Sequence, residues 1–129
     1  MRYLIDTHIC LWWWNNDVDR IPSHVSDILH HTEHEVFFSA VSAYEIQLKS
    51  KIGKLSLPSK LEASLEKAAI YEGWKVMPVS VQAMECAGKL SLDHRDPFDR
   101  MLAAQAITEE VPILSADAKL DVFEVERIW

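Results

Sequence analysis

The sequence predicts an α/β fold in which a parallel sheet is covered by helices on both faces. Two observations carry this. Short apolar runs alternate along the chain with longer segments of helical period. Acids stand directly after the first and last clear apolar runs, where an open parallel sheet builds its sites. The length of 129 residues, 49% of them apolar, suits one domain over residues 1–129, since two smaller pieces would each bury too little for a good core. Three Gly and five Pro exclude collagen-like and low-complexity chains.

The elements follow in order. Arg2 to Ile5 is a short buried strand that stops at Asp6. Ile9 to Asn16 is helical and closes on an Asn-Asn-Asp cluster. A second helix starts near Pro22, a good first-turn residue, with Val25, Ile28 and Leu29 at helical spacing. Val36-Phe37-Phe38 is a strand; Ser39 to Ile52 returns to helical period, with Gly53 as its stop. Pro58 opens one amphipathic helix through Leu61, Leu65, Ala68 and Ala69. Lys75 to Met77 is a strand, and Ser80 caps a helix that runs to Leu90. Asp96-Pro97 begins the last long helix, Pro112 to Leu114 is a strand, and a final β segment falls at Val122 to Val125.

No apolar run approaches the roughly 20 residues of a membrane helix, and no signal-peptide pattern precedes the first strand. Cys10 and Cys86 lack metal-type spacing and read as free core thiols, which suits a reducing cytoplasm. The net charge of −7, from 13 basic and 20 acidic residues, argues against a simple nucleic-acid binder. That objection weakens if several acids converge on a cation, which inverts the local field.

Four acids are candidates for such a site: Asp6, Glu45, Asp99 and Asp117. Three have plainer explanations when taken singly. Ser42 and Glu45 match a capping box. Asp96, Pro97 and Asp99 match a capped helix start, and Asp117 fits the cap of a short turn before Leu120. Asp6 is harder to explain away, because a carboxylate at the end of a buried strand is costly unless a cation or donors compensate. Thr7 beside it offers a hydroxyl to the carboxylate or to a ligand. Oxygen ligands of this kind suit Mg²⁺ or Mn²⁺ rather than a thiolate zinc site.

Taken together, certain segments match a known family: Tyr3-Leu4-Ile5-Asp6-Thr7-His8, Ser39 to Ile46 with Lys49 and Gly53-Lys54-Leu55, His94 to Ala106, and Leu114 to Asp117. On these the chain resembles the PIN-domain nucleases, most closely the VapC-like ribonuclease toxins of type II toxin–antitoxin pairs. The His-Arg-Asp-Pro-Phe-Asp-Arg block, 94–100, is the most specific element. The resemblance implies a three-layer α/β/α sandwich with a central parallel sheet, a homodimer, a cognate antitoxin, and cleavage of RNA with one or two Mg²⁺ or Mn²⁺ ions. Carried over by position, Asp6, Glu45 and Asp99 are the principal metal-site acids and Asp117 a fourth, more variable one. Ser115 stands where many relatives have Thr and keeps the hydroxyl. Asp96 is a cap or an outer ligand. Two other readings stay open: a PIN-fold module that binds RNA or protein without catalysis, and a metal-dependent nuclease acting mainly on DNA.

Arg100, beside Asp99, is the best candidate for a phosphate contact, or else pairs with a carboxylate. Lys49, Lys51, Lys54, Lys60 and Arg95 are further candidates, against a simply solvated face. His30 to His34 matches the H-x-x-E-H zinc-protease pattern, but at the end of a modest helix without a third ligand. An aspartyl-phosphate enzyme would carry D-x-D at Asp6, and here position 8 is His. Trp12, Trp13 and Trp14 point in different directions on a helix, so at least one is expected to be exposed or at an interface, against partial burial beneath a neighbouring loop.

Overall fold

Five short strands pair in parallel in the order β3-β2-β1-β4-β5, where β1 is Arg2–Ile5, β2 Glu35–Ser39, β3 Lys75–Met77, β4 Ile113–Leu114 and β5 Arg127–Ile128. The computed structural model describes residues 1–129 apart from the side chain of Lys60, so the phosphate contact considered for Lys60 lies outside what is described. The chain leaves β1 in one direction to build β2 and β3, then returns to its other side for β4 and β5. The strand order therefore reverses between β1 and β4, and a crevice opens beyond their carboxyl ends.

The pleat sends alternate residues of β1 into two cores. Tyr3 and Ile5 pack with Val36 and Phe38 against Ile9, Trp14, Val25, Leu29, Leu61 and Ala69. Leu4 packs on the opposite face with Ile113, Leu102, Ala103, Ala106 and Leu120. Helices cover both faces, which gives the α/β/α sandwich the sequence predicts. The first face carries α1 (Thr7–Trp14), α2 (Ser23–His30), α4 (Ser59–Glu62) and α5 (Leu65–Tyr71). The second carries α7 (Pro97–Glu109), on which α6 (Val81–Lys89) packs. α3 (Ala40–Lys51) follows β2 directly and reaches both cores through Ile46 and Val41.

Most boundaries fall where local chemistry puts them. Ser80 accepts from Ala83 N at 3.0 Å and Asp96 from Phe98 N at 2.9 Å, each capping the helix it precedes. Gly53 follows α3 at φ +80°, a conformation that favours glycine. Two expectations need correction. The helix expected from Pro58 onward is two helices, because Ser64 turns extended and caps α5 by accepting from Lys67 N. The last strand is Arg127–Ile128, not Val122–Val125. Asp117 accepts from Lys119 N and starts a 3₁₀ turn over Ala118–Val122, while Phe123 and Val125 pack into the core instead of pairing.

Of the two readings of the tryptophans, partial burial is seen within the chain itself, and none of the three is fully exposed. Trp14 is buried, and Trp12 and Trp13 are half-buried within this chain. Trp12 lies against Trp129, and Trp13 donates to Glu72 Oε2 at 2.9 Å. The H-x-x-E-H residues do not share a helix: α2 ends at His30, and the chain turns before β2. Among the described residues, no helix is long and apolar enough to cross a membrane.

Candidate functional site

Asp6 closes β1 and stands at the start of α1, in the β1/β4 crevice. Its carboxylate does not cap α1. It accepts instead from Ser115 Oγ at 2.6 Å, and Ser115 follows β4 as Asp6 follows β1. The register that pairs Ile5 with Leu114 brings these two residues together. The same Ser115 oxygen accepts from Asp117 N at 3.0 Å, so one hydroxyl links the positions of two acids.

Asp6 is 2% exposed, and burial raises its pKa from 3.8 to about 6. The Ser115 hydrogen bond and nearby His8 pull it down, while the charges of Asp99 and Glu45 push it up. Removing the hydroxyl by Ser115→Ala therefore leaves the Asp6 carboxylate without its donor. Affinity for Mn²⁺, read by calorimetry, is expected to fall about 10-fold, whereas Ser115→Thr keeps it. Unchanged binding in Ser115→Ala would contradict a supporting role for this hydroxyl.

Glu45 is 3% exposed and does not close a capping box. α3 starts at Ala40 and is capped by Ser39, which accepts from Val41 N, so Glu45 lies well inside the helix. Ser42 exchanges a hydrogen bond with Thr7 at 2.8 Å, tying α3 to α1. Of the two partners considered for the Thr7 hydroxyl, the Asp6 carboxylate and a ligand, the first is not taken: the hydroxyl meets Ser42. Lys49 donates to Glu45 Oε2 at 2.5 Å. Burial works against the Lys49 ammonium, yet its pKa is raised by the Glu45 hydrogen bond and by the charges of Glu45, Asp96 and Asp99.

Asp99 sits in the first turn of α7. Burial holds its pKa above the ordinary value against the lowering bond from His94, and the charges of Asp96 and Asp117 add to the rise. His94 Nε2 lies 2.8 Å from Asp99 Oδ2. Ligand atoms of His94, Asp99 and Asp117 lie within 4.8 Å of one another. Asp117 also caps its 3₁₀ turn, and Asp96 is exposed and bonds the α7 amides. The capping readings of Asp96 and Asp117 thus hold; for Asp117, capping and a place beside Asp99 coexist.

Arg100 is the clear correction. Its guanidinium turns away from the acids and donates to the carbonyls of Ala87, Leu90, Ser91 and His94 at 2.8, 2.9, 2.5 and 3.0 Å. It is 9% exposed, and its guanidinium is committed to the segment before α7 rather than to a carboxylate among the described residues, which leaves little of it to offer a phosphate. Lys51, Lys54 and Arg95 are exposed. His94 lies in the motif block but carries no role in the sequence reading. Its only local signal is a histidine five residues before an acid, across a helix cap.

Asp6 feels the charges of Asp99 and Glu45, and Asp99 that of Asp117, so the four acids share one electrostatic neighbourhood, while the ligand atoms that converge are those of His94, Asp99 and Asp117. A buried carboxyl that resists ionisation among other acids is the environment a divalent cation relieves, and the oxygen-rich donor set fits Mg²⁺ or Mn²⁺. An apolar cleft of about 520 Å³ lined by Trp14, Leu61, Ala68 and Tyr71 holds none of these acids.

A family model described as PIN domain matches residues 3–125. No curated protein matches the chain. Among solved structures, VapBC2 from Rickettsia felis bound to a DNA fragment from their promoter gives a TM-score of 0.72 at 17% identity, covering 99% of this chain and 98% of that one. DNA-bound VapBC from Salmonella typhimurium gives 0.74 at 15% identity over 99% and 97% of the two chains. VapBC-1 from nontypeable Haemophilus influenzae gives 0.66 at 16%, over 99% and 97%. At these identities the likeness establishes the fold. The family model spans nearly the whole of that fold, from β1 to the approach of β5, and the chain belongs to the PIN domain family.

Proposed function

We propose that the chain is a metal-dependent endoribonuclease toxin that hydrolyses phosphodiester bonds in RNA and is neutralised by a cognate antitoxin. The observation that supports it is the buried Asp6 at the strand-order reversal, which feels the charges of Glu45 and Asp99, with Asp99 in turn beside Asp117. Asp6, Glu45 and Asp99 would hold Mg²⁺ or Mn²⁺, and Asp117 a second ion or the attacking water. When bound, the cation supplies Lewis acidity that makes water a nucleophile at neutral pH and offsets charge on the leaving oxygen.

The chain's own residues do the remaining work. Ser115 holds the Asp6 carboxylate in place, and Lys49 supplies Glu45 with a counter-charge that the cation would replace, freeing the ammonium. Lys49 and Lys54 line a cleft of about 390 Å³ together with Thr7 and Ile46, the chain neighbours of Asp6 and Glu45. Two ammonium groups there offer a local basic wall to the phosphate backbone, against the overall negative charge. The Thr7 hydroxyl is engaged by Ser42, which favours water as nucleophile over this side chain.

The antitoxin reading is supported by likeness to chains named as VapBC complexes, and the family resemblance adds a homodimer. The free thiols of Cys10 and Cys86 fit action in the cytoplasm. A binding module without catalysis gives no reason to collect mutually repelling carboxylates.

The test is digestion of a labelled single-stranded RNA and a DNA of the same sequence, with Mg²⁺, Mn²⁺ or chelator. The wild type is expected to cut RNA only with metal, and Glu45→Gln to lose about 100-fold or more of that rate. Preferential DNA cleavage, or RNA cleavage that survives both chelator and Glu45→Gln, contradicts the proposal.

A further inference from the structure

We infer that His94 is a positioning residue of the cation site, holding the Asp99 carboxylate beside Asp117 in the arrangement that receives the ion. The inference rests on the function proposed above and extends it to a residue outside the acid set.

Three restraints fix His94. Its ring stacks on Phe123 with centroids 5.7 Å apart and planes 26° from parallel. Its carbonyl accepts from Arg100 Nη1 at 3.0 Å. Its Nε2 meets Asp99 Oδ2 at 2.8 Å, with both side chains largely buried, at 12% and 14% exposure. Arg100 follows Asp99 on α7, so the helix that carries the acid also ties down the segment that carries the histidine.

A role limited to anchoring that segment does not account for the Nε2 contact. The four Arg100 bonds and the Phe123 stack already hold the backbone and the ring. Asp99 has the opposite need. It faces the charges of Asp96 and Asp117, and a carboxylate repelled from two sides turns toward water unless a donor holds it. With Oδ2 bonded to the ring, the other carboxylate oxygen stays free for a cation, and less rotational freedom is lost on binding.

The test is calorimetric titration of Mn²⁺ alone into the full chain without RNA. His94→Leu is expected to bind Mn²⁺ about 10- to 100-fold more weakly than wild type. His94→Gln, whose amide N–H reaches toward the Nε2 position, should recover most of that loss. Both should melt close to wild type. If His94→Leu does not fold, His94→Asn, whose amide is too short to reach Asp99, replaces it.

Wild-type affinity in His94→Leu, with binding lost in Asp6→Asn, overturns this inference and leaves the acid site standing. A folded His94→Gln that binds as weakly as His94→Leu also overturns it. So does a nitrogen coupling in the Mn²⁺ electron spin-echo spectrum that vanishes in His94→Leu, which would make the ring a ligand. No Mn²⁺ binding by the wild type removes this inference and the metal site together.

Discussion

Asp6→Asn is expected to abolish metal-dependent RNA cleavage and, in chelator at pH 7.5, to melt at a higher temperature than the wild type. The buried carboxyl binds its proton more tightly in the folded chain, with a pKa of about 6 against 3.8. Each factor of ten in proton affinity is worth about 1.4 kcal/mol, so ionising Asp6 in place costs the metal-free fold about 3 kcal/mol. The sign follows. Below about pH 3 the carboxyl is protonated folded or unfolded, and the cost is absent. It grows as pH rises from 3.8 to about 6 and is complete above that. The amide carries no charge, so the gain from Asp6→Asn should be near zero at about pH 3 and reach up to about 3 kcal/mol at pH 7.5. Mn²⁺ should stabilise the wild type and not the variant. A variant less stable than wild type at pH 7.5 in chelator would contradict the desolvated acid at the centre of the site.

Arg100→Met should lose about 3 kcal/mol or more, a fall in melting temperature of roughly 10 °C for a chain of this size. The guanidinium satisfies four carbonyls that bracket the end of α6 and the approach to α7. Methionine keeps much of the apolar stem and none of the donors. Lysine restores the charge but cannot reach four acceptors with one ammonium, so Arg100→Lys should recover less than half of the loss. A variant that instead keeps wild-type stability and loses only RNA affinity, measured with a non-cleaved RNA, would return Arg100 to the phosphate contact considered from sequence.

These corrections show where local pattern stops being informative. Asp6 at the end of β1 and the Asp96-Pro97 start of α7 are legible because strand ends and caps are set by neighbours in sequence. The Ser115–Asp6 bond spans 109 positions and exists only because β4 pairs beside β1, which no local period states. Glu45 matches a capping box only while the helix start is unknown. Once Ser39 is the cap, the acid is turned inward and Ser42 is free to meet Thr7. Arg100 misleads for a simpler reason: neighbours on a helix point about 100° apart, so adjacency to Asp99 in sequence implies divergence in space. His94 is silent in sequence because its role depends on Asp99, Phe123 and Arg100 at once. Val122 to Val125 have the apolar content of a strand, but Phe123 and Val125 serve the core, and backbone pairing waits until Arg127.

The most direct test of the cation site is a crystal of the full chain grown with Mn²⁺ and measured at the manganese absorption edge. An anomalous peak bounded by the carboxylates of Asp6, Glu45 and Asp99 is the predicted result, with Lys49 displaced from Glu45. A peak elsewhere, or none at these acids with Lys49 still seated on Glu45, would contradict a cation-dependent mechanism on this rim.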